Sequence, residues 1–189
     1  TYLNKAEELI RRTAHPADDI ARHTLLNAEL RWSYTAFLQA LGTYLFHKLE
    51  RQELDDAFAY ARCTLLHYAR WMRAHERPYL DHADQLEYPT ETWVAQDVRK
   101  GDVLLWAALF ADAPERAGFL ERARFFFDGA LETLGRMPTR RYTRPVVVVL
   151  SHAIRYGWLL RHRDADALGA TAWPSCDPGA WPLTTFVPQ

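Results

Sequence analysis

The chain has 189 residues, 49% of them hydrophobic, which is enough to bury the core of one domain. Its 23 basic and 24 acidic residues give a net charge of −1 without a basic block. A nucleic-acid partner is therefore not expected, because a phosphate backbone requires a concentrated positive surface. No apolar run approaches the ~20 residues that span a bilayer, so no membrane partner is predicted. The chain starts at Thr1 without an initiator Met, and we expect a fragment or a processed product.

The two cysteines are too few for a disulfide framework. Cys63 lies inside a helical pattern, and Cys176 lies in a proline-containing tail. We expect both to be buried thiols. A reducing, cytoplasmic compartment follows from that expectation.

Helical patterns follow one another along most of the chain. A short helix is predicted over Asn4–Thr13, and a second pattern opens at Pro16 and continues to Glu50, with a break within Asn27–Ser33. Further helices are predicted near 54–76, 93–112, 115–135 and 144–162. The run Val146–Val149 is β-branched, but helical spacing continues after it. No segment alternates with a period of two for long enough to require a sheet, so the fold is predicted to be all-α.

A weak internal repeat suggests how these helices are arranged. Arg31, Arg99 and Arg144 are each followed by alanine after nine residues and by an aliphatic residue after ten. The apolar helices near 31–50, 93–112 and 144–162 alternate with the amphipathic helices near 54–76 and 115–135. This alternation predicts antiparallel hairpins in an inner and an outer layer. Alternate helices of such a series point the same way, so the three arginines should lie near one rim.

Antiparallel helical hairpins with apolar inner helices and an aromatic, acidic rim loop resemble the α/α-toroid superfold. That group includes the six-hairpin glycosidases, polysaccharide lyases and sugar 2-epimerases. The resemblance is architectural and covers residues 16–163, since no catalytic motif of these families is present. It implies a partial toroid, which is either the C-terminal part of a longer protein or associates with a second copy.

Two domain segments are predicted, a helical-hairpin domain over residues 1–165 and a tail over 166–189. The tail contains Trp173–Pro174 and Trp181–Pro182 and no helical run. We interpret it as an extended strap whose tryptophans anchor on the helices. A peptide that docks onto another chain is the alternative.

The segment Tyr79–Lys100 carries the densest mixture of rings, carboxylates and basic residues in the chain. Long irregular connections inside a compact helical domain tend to be functional or disordered, and its aromatic residues argue against disorder. We predict that Tyr79–Thr92 is ordered, mostly non-helical, and close to Trp32, Tyr34 and Tyr142. Such a site would suit a polar small molecule such as a sugar.

Candidate site residues follow from this hypothesis. Glu91 and Asp81 are the predicted proton-transfer residues, because glycoside chemistry uses carboxyl groups and burial beside tryptophan raises a carboxyl pKa. The structural alternative is that Thr90 or Thr92 caps a helix, with Glu91 as its first-turn acid. The predicted ligand-binding residues are the rings Tyr88, Trp93, Trp32, Tyr34 and Tyr142, and Arg99 and Arg144 for an anionic group.

Other chemistries find little support in the residue pattern. The eight histidines lack the spacing of a metal site, so no metal is predicted, and no cofactor is predicted either. His67, Trp71 and His75 share one helix face, which is more typical of a partly buried groove. For Arg99 and Lys100, a solvated helix face with local charge balance to Asp97 is the alternative to anion binding.

Three functions are consistent with the sequence. The first is a carbohydrate-active domain of α/α-toroid type, acting as a hydrolase, lyase or epimerase. The second is a non-catalytic helical scaffold that binds a protein partner through its aromatic surface. The third is a fragment whose site needs further sequence.

Overall fold

The computed structural model describes residues 2–139, 143–161 and 172–182. Within these ranges the protein is helical and contains no strand, which confirms the all-α prediction. The α-helices are α1 Tyr2–Thr13, α2 Ala28–Arg31, α3 Ser33–Glu50, α4 Asp56–His75, α5 Glu91–Phe110, α6 Ala113–Arg136 and α7 Thr143–Arg161. Short 3₁₀ helices cover Ile20–His23, Tyr79–Gln85 and Pro178–Ala180.

Helix α5 lies at the centre of the fold and packs against α3, α4, α6 and α7. Between α3 and α7, Trp32 contacts Arg144 and, further along both helices, Gln39 contacts His152. Between α3 and α5, Gln39 contacts Arg99 and, further along both, Gly42 contacts Trp106. Because residue numbers rise together along the three helices, these helices point the same way. Gly42 permits the close approach of α3 to α5, since a Cβ atom there would lie 2.4 Å from the Trp106 ring.

Helices α4 and α6 run in the opposite direction to these three. The start of α4 meets the end of α3, where Lys48 Nζ donates to Asp55 Oδ2 at 2.6 Å, and Glu76, just after α4, binds Tyr34 near the start of α3. Arg70 of α4 forms a bidentate pair with Glu115 of α6. The arrangement is consistent with two layers, with α3, α5 and α7 in one and α4 and α6 in the other, as the alternation predicted.

The predicted helix from Pro16 is wrong, because local hydrogen bonds hold this segment in turns. The backbone N–H of His15 donates to Asp18 Oδ2 at 2.7 Å, and Tyr68 donates its hydroxyl to the same oxygen at 2.7 Å. Thr24 has a left-handed backbone (φ 49°), which ends the short 3₁₀ helix. Asn27 then caps α2 by accepting from the N–H of Leu30.

The three-column repeat does not describe equivalent positions. Arg144 is the second residue of α7, whereas Arg99 lies eight residues after the start of α5. The aliphatic position of the repeat also differs in burial between helices, because Leu41 is buried and Ile154 is 88% exposed. The observed helix packing is consistent with the two predicted layers. The repeat that suggested them does not mark equivalent positions in the three helices.

The expectation of two free thiols is wrong, because Cys63 and Cys176 form a disulfide across 113 residues of sequence. Neither sequence context indicated the other, since only the packing of the tail onto α4 brings them together. Stable disulfides are typical of oxidising compartments, so the expectation of a reducing compartment loses its basis.

The described part of the tail, residues 172–182, packs against α4 on both sides of this disulfide. Trp173 stacks on Phe58 with ring centroids 5.7 Å apart, and Trp181 meets Tyr60 edge-on at 5.4 Å. The predicted anchoring of both tryptophans is confirmed. The predicted boundary at residues 165 and 166 lies outside the described residues.

None of the described helices is both long enough and apolar enough to cross a bilayer.

Candidate functional site

Polar side chains that pack between α3, α5 and α7 form a group that we call the polar seam. Its members are Gln39 from α3, Arg99 and Asp102 from α5, and His152 and Arg155 from α7. Gln39, Asp102 and His152 are buried, and the two arginines are partly exposed. Buried polar groups of this kind are stable only when they are hydrogen-bonded.

Asp102 is fully buried and is neutralised by Arg155. Arg155 donates through Nη2 to Asp102 Oδ2 at 2.9 Å and through Nε to Oδ1. A two-pronged pair of this kind is the strongest geometry that a carboxylate and a guanidinium can form. The Asp102 charge is therefore balanced within the seam without help from Arg99.

Gln39 links the three helices and fixes the protonation of His152. Its amide nitrogen donates to Asp102 Oδ2 at 2.6 Å and to His152 Nε2 at 2.5 Å. An accepting Nε2 requires that the histidine proton lies on Nδ1, which contacts the Val148 carbonyl at 2.5 Å. Burial lowers the pKa of His152, which agrees with a neutral ring at pH 7.

Arg99 is held in place by Gln39 and forms no ion pair among the described residues, although Asp102 lies near enough to oppose the lowering of its pKa. Its Nη1 donates to Gln39 Oε1 at 3.0 Å, whereas its buried Nε has no hydrogen-bond partner among the described residues. Burial, and then the positive charge of Arg144, lower the Arg99 pKa. Arg144 lies over the ring of Trp32, with its guanidinium carbon 5.9 Å from the ring centroid.

The opposite side of the same stretch of α5 carries a second group, which we call the lysine cluster. Lys100 Nζ lies 2.8 Å from Glu76 Oε2, 3.0 Å from Asp97 Oδ1 and 3.3 Å from the centroid of the Tyr79 ring. Tyr34 donates its hydroxyl to Glu76. Lys100 is fully buried, so the expectation of a solvated face for this residue is wrong.

Asp97 connects the lysine cluster to the loop that follows α4. Both of its carboxylate oxygens accept from the backbone N–H of Tyr79 at 3.2 Å. Burial raises the pKa of Asp97 to about 6, although Lys100 opposes the shift. Asp97 also lines a cavity of about 410 Å³ with Asp81, Phe125 and Phe126.

The two predicted proton-transfer residues are placed in different cavities. Glu91 begins α5 and lines an apolar groove of about 310 Å³ between α6 and α7, with Leu134 and Val149 among its neighbours. Asp81 lies in the 3₁₀ helix after α4 and lines the cavity that Asp97 shares. The structure therefore does not bring Glu91 and Asp81 together as a pair.

The loop is less irregular than predicted, because Tyr79–Gln85 form a 3₁₀ helix with a kink at His82. It lies beside α2, which directly precedes the predicted neighbour Trp32, since the N–H of Glu87 donates to Glu29 Oε1 at 2.9 Å. Tyr142, another predicted neighbour, lies outside the described residues. Thr90 occupies the N-cap position of α5, but its side chain makes no capping hydrogen bond.

The predicted ligand-binding residues separate into three groups. Trp32 and Arg144 contact each other near the starts of α3 and α7, and Arg99 belongs to the polar seam, where it binds Gln39. Tyr34 belongs to the lysine cluster, where its hydroxyl is bound to Glu76. Trp93 packs on Tyr79 at 5.1 Å between ring centroids, Tyr88 is 69% exposed, and Tyr142 lies outside the described residues.

Sequence reasoning missed Gln39, Asp102, His152 and Arg155. A signal was present for Gln39, Asp102 and His152, because each is a polar residue inside an otherwise apolar helical stretch, FLQALG, KGDVLLW and VVLSHAI respectively. Polar residues rarely occupy buried positions without a partner. Three such residues in three parallel inner helices therefore indicate contact across those helices.

No family model, curated protein or solved structure matches this chain.

Proposed function

We propose that this chain is a carbohydrate-active domain of α/α-toroid type that binds a sugar at the end of the polar seam where α3 and α7 begin. The observation that carries this proposal is the position of the Arg144 guanidinium, 5.9 Å from the centroid of the Trp32 ring, with the partly exposed Arg99 bound to Gln39 on the neighbouring helix. An aromatic face packs against a sugar ring, and guanidinium groups donate to its oxygens. These are the two kinds of contact that fix a polar ligand in a protein site.

For proton transfer, we propose one carboxyl group acting without the other, either Glu91 or Asp81. Glu91 lines a groove that Pro145 and Val146, next to Arg144 in sequence, also line, whereas Asp81 lines the separate cavity beside Asp97. General acid–base chemistry requires a carboxyl group within hydrogen-bond reach of the substrate, so Glu91 is the candidate for a ligand at the seam and Asp81 for a ligand in its own cavity. The reaction could thus be a hydrolysis, an elimination or an epimerisation, all of which begin with such a transfer.

Calorimetry with neutral, amino and acidic oligosaccharides tests the binding proposal. We expect at least one class to bind, and Trp32→Ala to weaken that binding by about tenfold, the loss of roughly one ring contact. Trp71→Ala is the matched control, because Trp71 lies on α4 and stacks on His75, away from the seam. Absence of binding by every class, or equal losses in both variants, would contradict the proposal.

Product analysis on any sugar that binds tests the role of the carboxyl groups. Glu91→Gln and Asp81→Asn each preserve side-chain shape and remove the acid. The variant of the true proton-transfer residue should reduce turnover by about 10²-fold and leave affinity nearly unchanged. Full turnover in both variants would remove both residues from the mechanism.

A specific observation also favours the partner-binding alternative. Helix α7 exposes an apolar face in which Ile154 is 88%, Leu150 66% and Val147 53% exposed. Contiguous apolar surface of this kind marks interaction sites. We propose, as the second candidate, that another helix covers this face, supplied by a second copy or by the remainder of a longer chain.

Light scattering on the chain distinguishes these arrangements. Ile154→Asp should convert a dimer to a monomer if the second copy covers α7. Thr13→Asp, which also adds one charge on an exposed residue but lies on α1, is the control. A monomeric parent chain would exclude the second copy as the covering element.

A further inference from the structure

We infer that the ligand of the polar seam carries an anionic substituent, a carboxylate or a sulfate ester, which Arg99 and Arg144 bind together. This inference rests on the proposed function, because it names the class of sugar that the same site would select. It concerns the charge of the ligand and leaves the reaction open.

Charge balance is the first step of the argument. The seam contains one carboxylate, Asp102, which is engaged by both prongs of Arg155 and by Gln39. Among residues 2–139, 143–161 and 172–182, no carboxylate forms an ion pair with Arg99 or Arg144. The seam and Arg144 together thus hold three guanidinium charges, of Arg99, Arg144 and Arg155, against the one Asp102 carboxylate. Burial and then the charge of Arg144 lower the Arg99 pKa, and Asp102 opposes that shift.

The hydrogen-bonding capacity of these arginines is the second step. Arg99 uses Nη1 for Gln39 and retains a buried Nε without a partner among the described residues. Gln39 is itself fixed by Asp102 and His152, so the Arg99 fork is held in one orientation. A preorganised guanidinium matches the two oxygens of a carboxylate or sulfate better than it matches a single hydroxyl.

Two further buried polar atoms on α5 lack partners as Arg99 Nε does. Gln96 Oε1, Arg99 Nε and Trp106 Nε1 are all buried and lack hydrogen-bond partners among the described residues. Positions 96, 99 and 106 lie on one face of a helix with 3.6 residues per turn. Because buried polar groups are normally satisfied, this face is where a polar ligand would complete the hydrogen bonding.

The position of Trp32 explains why the anion should belong to a sugar. Arg144 lies over the Trp32 ring, which holds one cation beside an aromatic surface. A ligand that displaces the Arg144 guanidinium from the ring would pack an apolar ring face on Trp32 and hold its charged substituent against Arg144 and Arg99. A free inorganic anion would bind the arginines only, because it has no apolar ring that could pack on Trp32 and add to its affinity.

Calorimetry with three matched trisaccharides tests the inference on the full chain. The probes are trigalacturonate, neutral trigalactose and a trigalactose sulfate ester. We expect an acidic probe to bind about tenfold or more tightly than the neutral one, and its affinity to fall as salt is raised. Arg144→Gln should remove most of that preference, and Arg99→Gln should do the same if its thermal unfolding is unchanged.

Arg136→Gln is the control with the same change of charge, because Arg136 ends α6 and pairs with Glu132. Preference for trigalacturonate would identify a carboxylate, and preference for the ester would identify a sulfate. Equal binding of all three probes, unaffected by Arg144→Gln, would overturn the anionic inference but leave the sugar-binding proposal intact. Absence of binding by all three, and by the neutral and amino sugars of the wider screen, would overturn both.

Discussion

Helix α5 carries two groups of charged residues on opposite sides, and they differ in how completely their charge is balanced. In the lysine cluster, Lys100 lies within 3.0 Å of both Glu76 and Asp97, and the three side chains are buried together. In the polar seam, Asp102 and Arg155 balance each other, while Arg99 and the nearby Arg144 have no such partner among the described residues.

The difference indicates two roles. A closed set of buried charges attaches the loop after α4 to the core, since Asp97 holds the N–H of Tyr79 and Lys100 donates to the Arg77 carbonyl at 2.5 Å. Arg99 and Arg144, which we call the open set, form no ion pair with the described residues, and Arg144 lies over the Trp32 ring, so these side chains can bind a ligand. Stability should therefore depend on the first group, and recognition on the second.

The largest loss of stability should follow removal of the buried lysine. Lys100→Met leaves Glu76 and Asp97 buried without a cation, so we expect the free energy of unfolding to fall by about 3–5 kcal/mol. Urea denaturation measures it. Lys5→Met, which breaks the exposed pair with Glu8, should change it by less than ~1 kcal/mol. Similar values for the two variants would refute the structural role of the lysine cluster.

A smaller loss should follow neutralisation of Asp102. Asp102→Asn weakens charge-assisted bonds from Arg155 and Gln39, and we expect about 2–3 kcal/mol of destabilisation. The effect should be below that of Lys100→Met, because the Arg155 side chain is 34% exposed and water can replace its partner. Glu132→Gln on the surface of α6 serves as the control in the same urea titration. An unchanged midpoint for Asp102→Asn would disprove this ordering.

The two groups should also respond to pH in opposite directions. The Asp97 pKa rises from its ordinary value to about 6 on folding, so the native state binds more protons and stability falls as pH rises from about 4 to 6. The His152 pKa is lowered, so the unfolded state binds more protons and stability falls as pH drops below about 6.5.

Urea titrations between about pH 4.5 and 7.5 separate these contributions. The stability of the parent chain relative to Asp97→Asn should decrease as pH rises, and its stability relative to His152→Gln should decrease as pH falls. Identical pH profiles for the parent and either variant would show that the altered residue does not titrate in this window.

The smallest effect on stability should come from the open set. Arg144→Gln removes an exposed cation that forms no ion pair with the described residues, so the free energy of unfolding should change by no more than ~0.5 kcal/mol. Thermal unfolding without ligand checks this value. A loss above about 2 kcal/mol would assign Arg144 a structural role and remove the contrast between the two groups.

The helical architecture was determined by the sequence through periodicity. Helices predicted near 93–112 and 144–162 are observed at Glu91–Phe110 and Thr143–Arg161, because long apolar stretches with helical spacing allow few other structures. The two layers followed from the alternation of apolar and amphipathic helices. The segment after Pro16 departed from its pattern because side chains from α4 compete for its hydrogen bonds, and a local pattern does not record such partners.

Only the tertiary structure determined which polar residues contact one another. The sequence indicated Trp32, Arg99 and Arg144 as separate candidates. Packing across three parallel helices brought Arg144 over Trp32, and it brought Arg99 to Gln39, which also binds a carboxylate neutralised by another arginine. The disulfide depends in the same way on a tail that folds back over α4. Periodicity along a chain determines which face of a helix is buried, whereas the contacts on that face depend on residues distant in sequence.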